Sequence, residues 1–208
     1  ENGFIQFYVP LLILEKIIPE VYQEELKQTL EEIPFFYTPS IGYNENSPNT
    51  GGYKFLNNIG FSHGLVMQDQ EDSKYWGLFR PLLYFFTQKT NVFVKKILRV
   101  RLRLTFQHPD RDKFLFNKPH TDLFDYEGPY KTLVYYLNDS DGDTFIFNKF
   151  FNREENFNNV LEDIDKKIIL QNTPKQGDAI YFDGHQYHAG NSPIKYKCRY
   201  VLNFDFTI

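Results

Sequence analysis

Leu98-Arg99-Val100-Arg101-Leu102-Arg103-Leu104 is the stretch on which the fold turns. Its apolar residues recur at every second position, the period of a strand, so one face is greasy and the other carries three guanidinium groups. We read the arginine face as the solvated outer face of a sheet. The alternative is a track for an acidic substrate or a nucleic acid, and the formal net charge of -4 argues against general affinity for polyanions.

Working outward, short apolar runs continue downstream at 131–138, 144–148, 168–171, 178–182 and 196–207, most of them separated by turn-rich segments such as 138–142. Upstream the period is helical. Tyr22, Leu26, Leu30 and Ile33 recur between Pro19 and Pro34. A second helix is predicted from Ser73 to about Thr90, with Pro81 as its kink or its real start. An apolar run over 4–14 predicts a short buried strand, 39–52 an exposed loop, and 152–167 a polar insertion with a helical turn through Val160, Leu161 and Ile164. The 22 Phe and 15 Tyr, against Ala only at 179 and 189, favour strands. Together these features imply a mainly β jelly-roll barrel with N-terminal helices packed outside one sheet.

The 208 residues suit one domain. Cys198 has no partner for an internal disulfide, which points to a reducing cytoplasm. No apolar run approaches the roughly 18 residues of a membrane span. The start at Glu1 shows neither an initiator Met nor a leader, and we expect an N-terminally trimmed chain.

His120-Thr121-Asp122 is the candidate for chemistry. In an extended chain residues i and i+2 face the same way, so this triplet presents an imidazole and a carboxylate together. A second, distant histidine would complete the facial triad that holds Fe(II) with three positions open. His188 is the best third ligand and His185 its competitor, both following the 178–182 strand.

The order His120-Thr121-Asp122, Tyr135-Tyr136-Leu137-Asn138, Gly142-Asp143-Thr144, Gly177-Asp178-Ala179-Ile180-Tyr181-Phe182, His188 and Arg199 resembles the Fe(II)- and 2-oxoglutarate-dependent dioxygenases of the prolyl-hydroxylase type. The likeness covers about the C-terminal half. It implies a double-stranded β-helix, the cupin-like form of the jelly roll, with 1–92 as a helical support region and 93–208 as the catalytic core. In that family a Gly-x-x-x-x-Phe strand precedes the second histidine, which favours His188 over His185.

The resemblance also implies roles. His120, Asp122 and His188 would hold Fe(II). Arg199 would pair with the distal carboxylate of the cosubstrate 2-oxoglutarate and Tyr136 would donate its hydroxyl to it, while strand parity adds Thr132 and Asn203 as candidates for the same task. Family members that halogenate carbon replace the triad carboxylate by a small residue; Asp122 is present, so hydroxylation is expected. The implied reaction uses O2 and releases succinate and CO2 while oxidising a C–H bond of a peptidyl proline, an amino acid or another small molecule. A non-catalytic jelly-roll binding protein and an oxygenase acting on nucleic acid are the alternatives. The segments 39–52, 110–118 and 152–167 are candidate walls of the substrate site.

Overall fold

The computed structural model describes residues 11–39, 59–111, 115–156, 160–161 and 163–208, and among these the strands pair into two sheets. The larger runs in the order β1 (Leu12–Leu14), β9 (Ala179–Asp183), β6 (Lys131–Tyr136), β11 (Cys198–Thr207), β5 (Lys96–Phe106), β3 (Gly60–Met67) and β2 (Phe36–Thr38), with β4 (Gln70–Glu71) paired to β3. The smaller is β10 (Gln186–Gly190), β7 (Thr144–Phe150) and β8 (Ile168–Asn172). Every pairing is antiparallel. The mainly β architecture with helices outside one sheet is therefore the one expected.

Helices α1 (Glu20–Thr29), α2 (Trp76–Phe79) and α3 (Pro81–Thr90) cover the larger sheet. Pro81 occupies the first turn of α3, where its missing N–H breaks no hydrogen bond, so it starts a helix and does not kink one. Leu26, Phe79, Leu82 and Phe86 from the helices pack with Val100, Leu102, Tyr135, Leu202 and Phe204 from the sheet. The leucine face of β5 thus lies under the helices.

This overturns the reading of the arginine face as solvated. Residues directly opposite in an antiparallel pair share a face. The register sets Arg99, Arg101, Arg103 and Thr105 against Asp205, Asn203, Val201 and Arg199 of β11. Val201 packs with Val134, Tyr136, Ile180 and Phe182 of the larger sheet and with Ile146 of the smaller one, so this face looks into the space between the sheets. A period of 2 tells that two faces differ. It does not tell which is covered by a second layer, and here both are.

Strands β2, β3, β4 and β10 were not expected from the sequence; β3 lacks clean alternation, and β10 follows β9 after too short a turn to separate from it. Of the 4–14 run, Leu12–Leu14 is a strand, and 4–10 lie outside the described residues. So does the expected 39–52 loop beyond Pro39. In the 152–167 insertion, Val160 and Ile164 pack with Phe116, Phe145 and Phe147 against the outer face of the smaller sheet. No helix among the described residues is long and apolar enough to cross a membrane.

Gly177 opens the strand that leads to the site. Its φ of +90° is one that side chains rarely adopt, and a Cβ there would lie 2.4 Å from Oε1 of Gln23, whose Nε2 donates to the Ile18 carbonyl. Gly177→Ala is expected to destabilise the fold by about 1–3 kcal/mol through strain and displacement of Gln23, read as a lower urea midpoint.

Candidate metal centre

His120 adds one bridge to the free edge of β10. Its N–H donates to the His188 carbonyl and its own carbonyl accepts the return bond from the His188 N–H, each at 2.9 Å, so the two residues are directly opposed and their rings stand 4.6 Å apart. Asp122 follows two residues later, and the ligating atoms of His120, Asp122 and His188 all lie within 4.8 Å of one another. His185, the competitor, is turned elsewhere: its Nε2 hydrogen-bonds the Gly128 carbonyl at 3.0 Å and its ring packs on Tyr130.

The donor set fits a first-row divalent ion such as Fe(II). Three ligands each roughly 2.1 Å from one ion and mutually perpendicular stand about 3 Å apart. His188 Nε2 and Asp122 Oδ2 are 3.4 Å apart. The ring Nδ1 atoms face the carbonyls of Lys118 and Gln186, at 3.1 and 3.3 Å, which favours the tautomer with Nδ1–H and leaves Nε2 as the lone-pair donor. Nε2 of His188 is buried without a hydrogen-bond partner, as a metal ligand's would be. Burial, with the neighbouring His188 adding to it, pulls His120 down to about 3, so this imidazole is neutral and ready to bind across the physiological range.

Arg99 sets the carboxylate. Its Nη2 lies 2.5 Å from Oδ1 of Asp122 and 2.8 Å from Oδ2 of Asp205, and its Nε donates to the same Asp205 oxygen at 3.0 Å. Burial alone would lower this guanidinium, but the two carboxylates outweigh it and hold it above its usual value. Burial would raise Asp122; Arg99 and the two imidazoles pull it well below the ordinary carboxylate range. Asp205 moves the other way, pushed up by burial and by the charge of Asp122. Sequence reasoning missed both Arg99 and Asp205. The signal was present in Asn203-Phe204-Asp205-Phe206, where an acid inside an apolar strand calls for a buried cation.

A second polar cluster surrounds Arg199, which is 6% exposed. Its Nη2 donates to Oγ1 of Thr144 at 2.6 Å, the Tyr136 hydroxyl donates to the same oxygen at 2.9 Å, and Asn172 donates to Tyr136 at 3.2 Å. Arg199 Nε is buried and unpartnered, and among the described residues the guanidinium has no carboxylate paired with it. Burial lowers it from its usual value, with Tyr136 and Asp143 offsetting this in part. Gly142 closes this cluster: a Cβ there would stand 2.5 Å from the Asn191 carbonyl and 3.0 Å from Cδ of Arg199. Thr144 and Asn172 were not singled out by the sequence. Thr132 and Asn203 share the inner face, yet their hydrogen bonds lie at the metal end, Thr132 to Asp205 at 2.8 Å and Asn203 to Asp122 at 3.4 Å.

No protein-family model matches this sequence, and no curated protein matches it in sequence. Solved structures do match in fold. A non-heme alpha-ketoglutarate-dependent carbocyclase, SnoK of nogalamycin biosynthesis, superposes with a TM-score of 0.64 at 10% identity, over 94% of this chain and 78% of that one. A prolyl hydroxylase from Trichoplax adhaerens, in complex with a peptide of hypoxia inducible factor, gives 0.57 at 14% identity over 94% and 82%. The fold is that of the iron- and 2-oxoglutarate-dependent oxygenases. A third structure with this fold, the epimerase SnoN, was solved with Fe3+, alpha ketoglutarate and a nogalamycin compound, at a TM-score of 0.59 and 11% identity over 95% and 78%. At such identities the likeness is one of backbone, and the case for chemistry rests on the side chains described above.

Proposed function

We propose that the chain is an Fe(II)- and 2-oxoglutarate-dependent oxygenase that hydroxylates a C–H bond of a small molecule, an amino acid or a peptidyl proline. The observation that carries this reading is the pairing of two features on one inner face: a convergent His, Asp and His set, and a buried arginine that, among the described residues, has no carboxylate of its own. Overall, substrate R–H, O2 and 2-oxoglutarate become R–OH, succinate and CO2. Fe(II) bound by His120, Asp122 and His188 would supply the oxidation of an unactivated C–H bond.

The protein's own part is to bind and orient. Arg199 offers a planar, permanently charged fork to the distal carboxylate of 2-oxoglutarate, and the Thr144 and Tyr136 hydroxyls stand beside it as further donors. Arg99 keeps Asp122 ionised and occupies its Oδ1, so that Oδ2 is the oxygen that would be offered to the ion. Phe182, its ring centroid 5.1 Å from that of His188 in an edge-to-face arrangement, and Val134, Ile146 and Ile180 make the surroundings apolar and exclude water. The nucleic-acid alternative rested on an exposed arginine track, and that face is turned inward. The single Cys198 fits a reducing compartment such as the cytoplasm.

The test is anaerobic addition of Fe(II) and 2-oxoglutarate, read by the visible charge-transfer band of the chelate, then oxygen-dependent succinate release. Arg199→Gln is expected to weaken 2-oxoglutarate affinity by about 10–100-fold while metal affinity stays near the parent's, since a charged hydrogen-bond pair is worth about 1.5–3 kcal/mol. A parent protein that gives neither band nor succinate ends this reading.

A further inference from the structure

Arg101 and Arg103 have no task in the function proposed above. Both lie on the inner face of β5, Arg101 opposite Asn203, whose amide reaches Asp122, and Arg103 opposite Val201, the inward position next to Arg199. On their other side β3 opposes them with Gly64 and Ser62, which bring no charge. The local charges do not balance. Three arginines face Asp122 and Asp205, and Arg99 already engages both carboxylates, so among the described residues Arg101 and Arg103 form no ion pair. Nη1 of Arg103 is shut off from solvent with no hydrogen-bond partner.

Both side chains are half-buried, and a cation drawn out of water without a partner is costly; nothing in the packing of the barrel calls for two of them. Burial, joined by the like charge of Arg99, pulls Arg101 down to about 10; burial, joined by Arg101, pulls Arg103 down to about 9. Both remain charged at neutral pH. Positions i and i+2 on one strand are about 6.6 Å apart, close enough for two guanidinium groups to converge on one anion.

We propose that Arg101 and Arg103 bind an anionic group of the substrate, a carboxylate or a phosphate, and so hold its reactive C–H bond beside the metal centre. This rests on the oxygenase reading of the neighbouring site. The substrate is then a small acid that enters the barrel. A nucleic-acid backbone needs an outward-facing basic surface, which this pair does not provide.

Two measurements test it. First, inorganic phosphate is titrated calorimetrically into metal-free Arg199→Gln protein, in which the cosubstrate's own anion subsite is disabled, and into the same protein carrying Arg101→Gln or Arg103→Gln. Phosphate is expected to bind the first and to bind each of the others at least about tenfold more weakly. Absence of phosphate binding, or equal binding in all three, overturns the proposal. Second, succinate release by the parent is compared with small carboxylic acids, phosphomonoesters and the neutral amides of the acids. Stimulation by acids or phosphomonoesters but not by amides, lost in Arg101→Gln and Arg103→Gln with 2-oxoglutarate affinity kept within about twofold, is the expected result and tells carboxylate from phosphate. A loss of 2-oxoglutarate affinity in Arg103→Gln matching that of Arg199→Gln would assign the pair to the cosubstrate and overturn the inference. So would a fall in the melting temperature of Arg101→Gln or Arg103→Gln, because removing an unpaired, half-buried cation should leave stability level or raise it. Phosphate binding that depends on both arginines in a parent that gives no chelate band keeps the anion site and rejects the oxygenase.

Discussion

Asp122→Ala is expected to abolish both the chelate band and succinate release while the protein stays folded. The carboxylate is the one anionic member of the proposed ligand set, with Oδ2 3.4 Å from the unpartnered Nε2 of His188 and Oδ1 held by Arg99. Its removal leaves two imidazoles and no anion in the set, and it turns Arg99 from a partner of the carboxylate into a positive charge beside the place a dication would take. Losing an outer partner of a metal ligand costs about 10–100-fold in affinity or activity, and losing the ligand itself should exceed that. Metal content after dialysis, anaerobic spectra and succinate assays read the outcome, with circular dichroism as the check on folding. Parent-like metal affinity in Asp122→Ala would remove the site from consideration.

The second large effect is on stability. Arg99→Met should cost about 3–5 kcal/mol, because it strands Asp205, fully buried, and Asp122, 9% exposed, without their cation. The variant is expected to show a much lower denaturant midpoint or to accumulate as insoluble protein. Arg99→Met combined with Asp205→Asn should recover a good part of the loss, since the more deeply buried of the two stranded charges is gone and Thr132 still has an oxygen to bond. Arg99→Lys should not substitute, for a point charge cannot reach both carboxylates as the fork does. A cost below about 1 kcal/mol for Arg99→Met would mean that the cluster is held together by something other than this arginine.

The strand period of β5, the helical spacing before Pro34 and the two-residue spacing of His120 and Asp122 were legible because each is a local pattern. The choice of His188 over His185 came from a family likeness, and in the structure His188 opposes His120 while His185 bonds to the Gly128 carbonyl. What escaped reading was long-range. Arg99 and Asp205 are 106 positions apart, and only the register of β5 with β11 brings them together. The same register explains Thr132 and Asn203: parity gave their face correctly, whereas the distance along the strand, which no alternation reveals, separates them from Arg199. The arginine face was misread for want of one fact that lies outside its own seven residues, namely that the helices had already taken the leucine side.

Strand β11 lies between β5 and β6 and carries Arg199, Asn203 and Asp205. A nascent chain still lacking this strand has a slot in the middle of its larger sheet, with Arg99 deprived of Asp205 and the edges of β5 and β6 exposed to stray pairing. Closure of the larger sheet and the arrival of Arg199 and Asp205 on its inner face therefore become a single event, which happens only after β11 has cleared the ribosome.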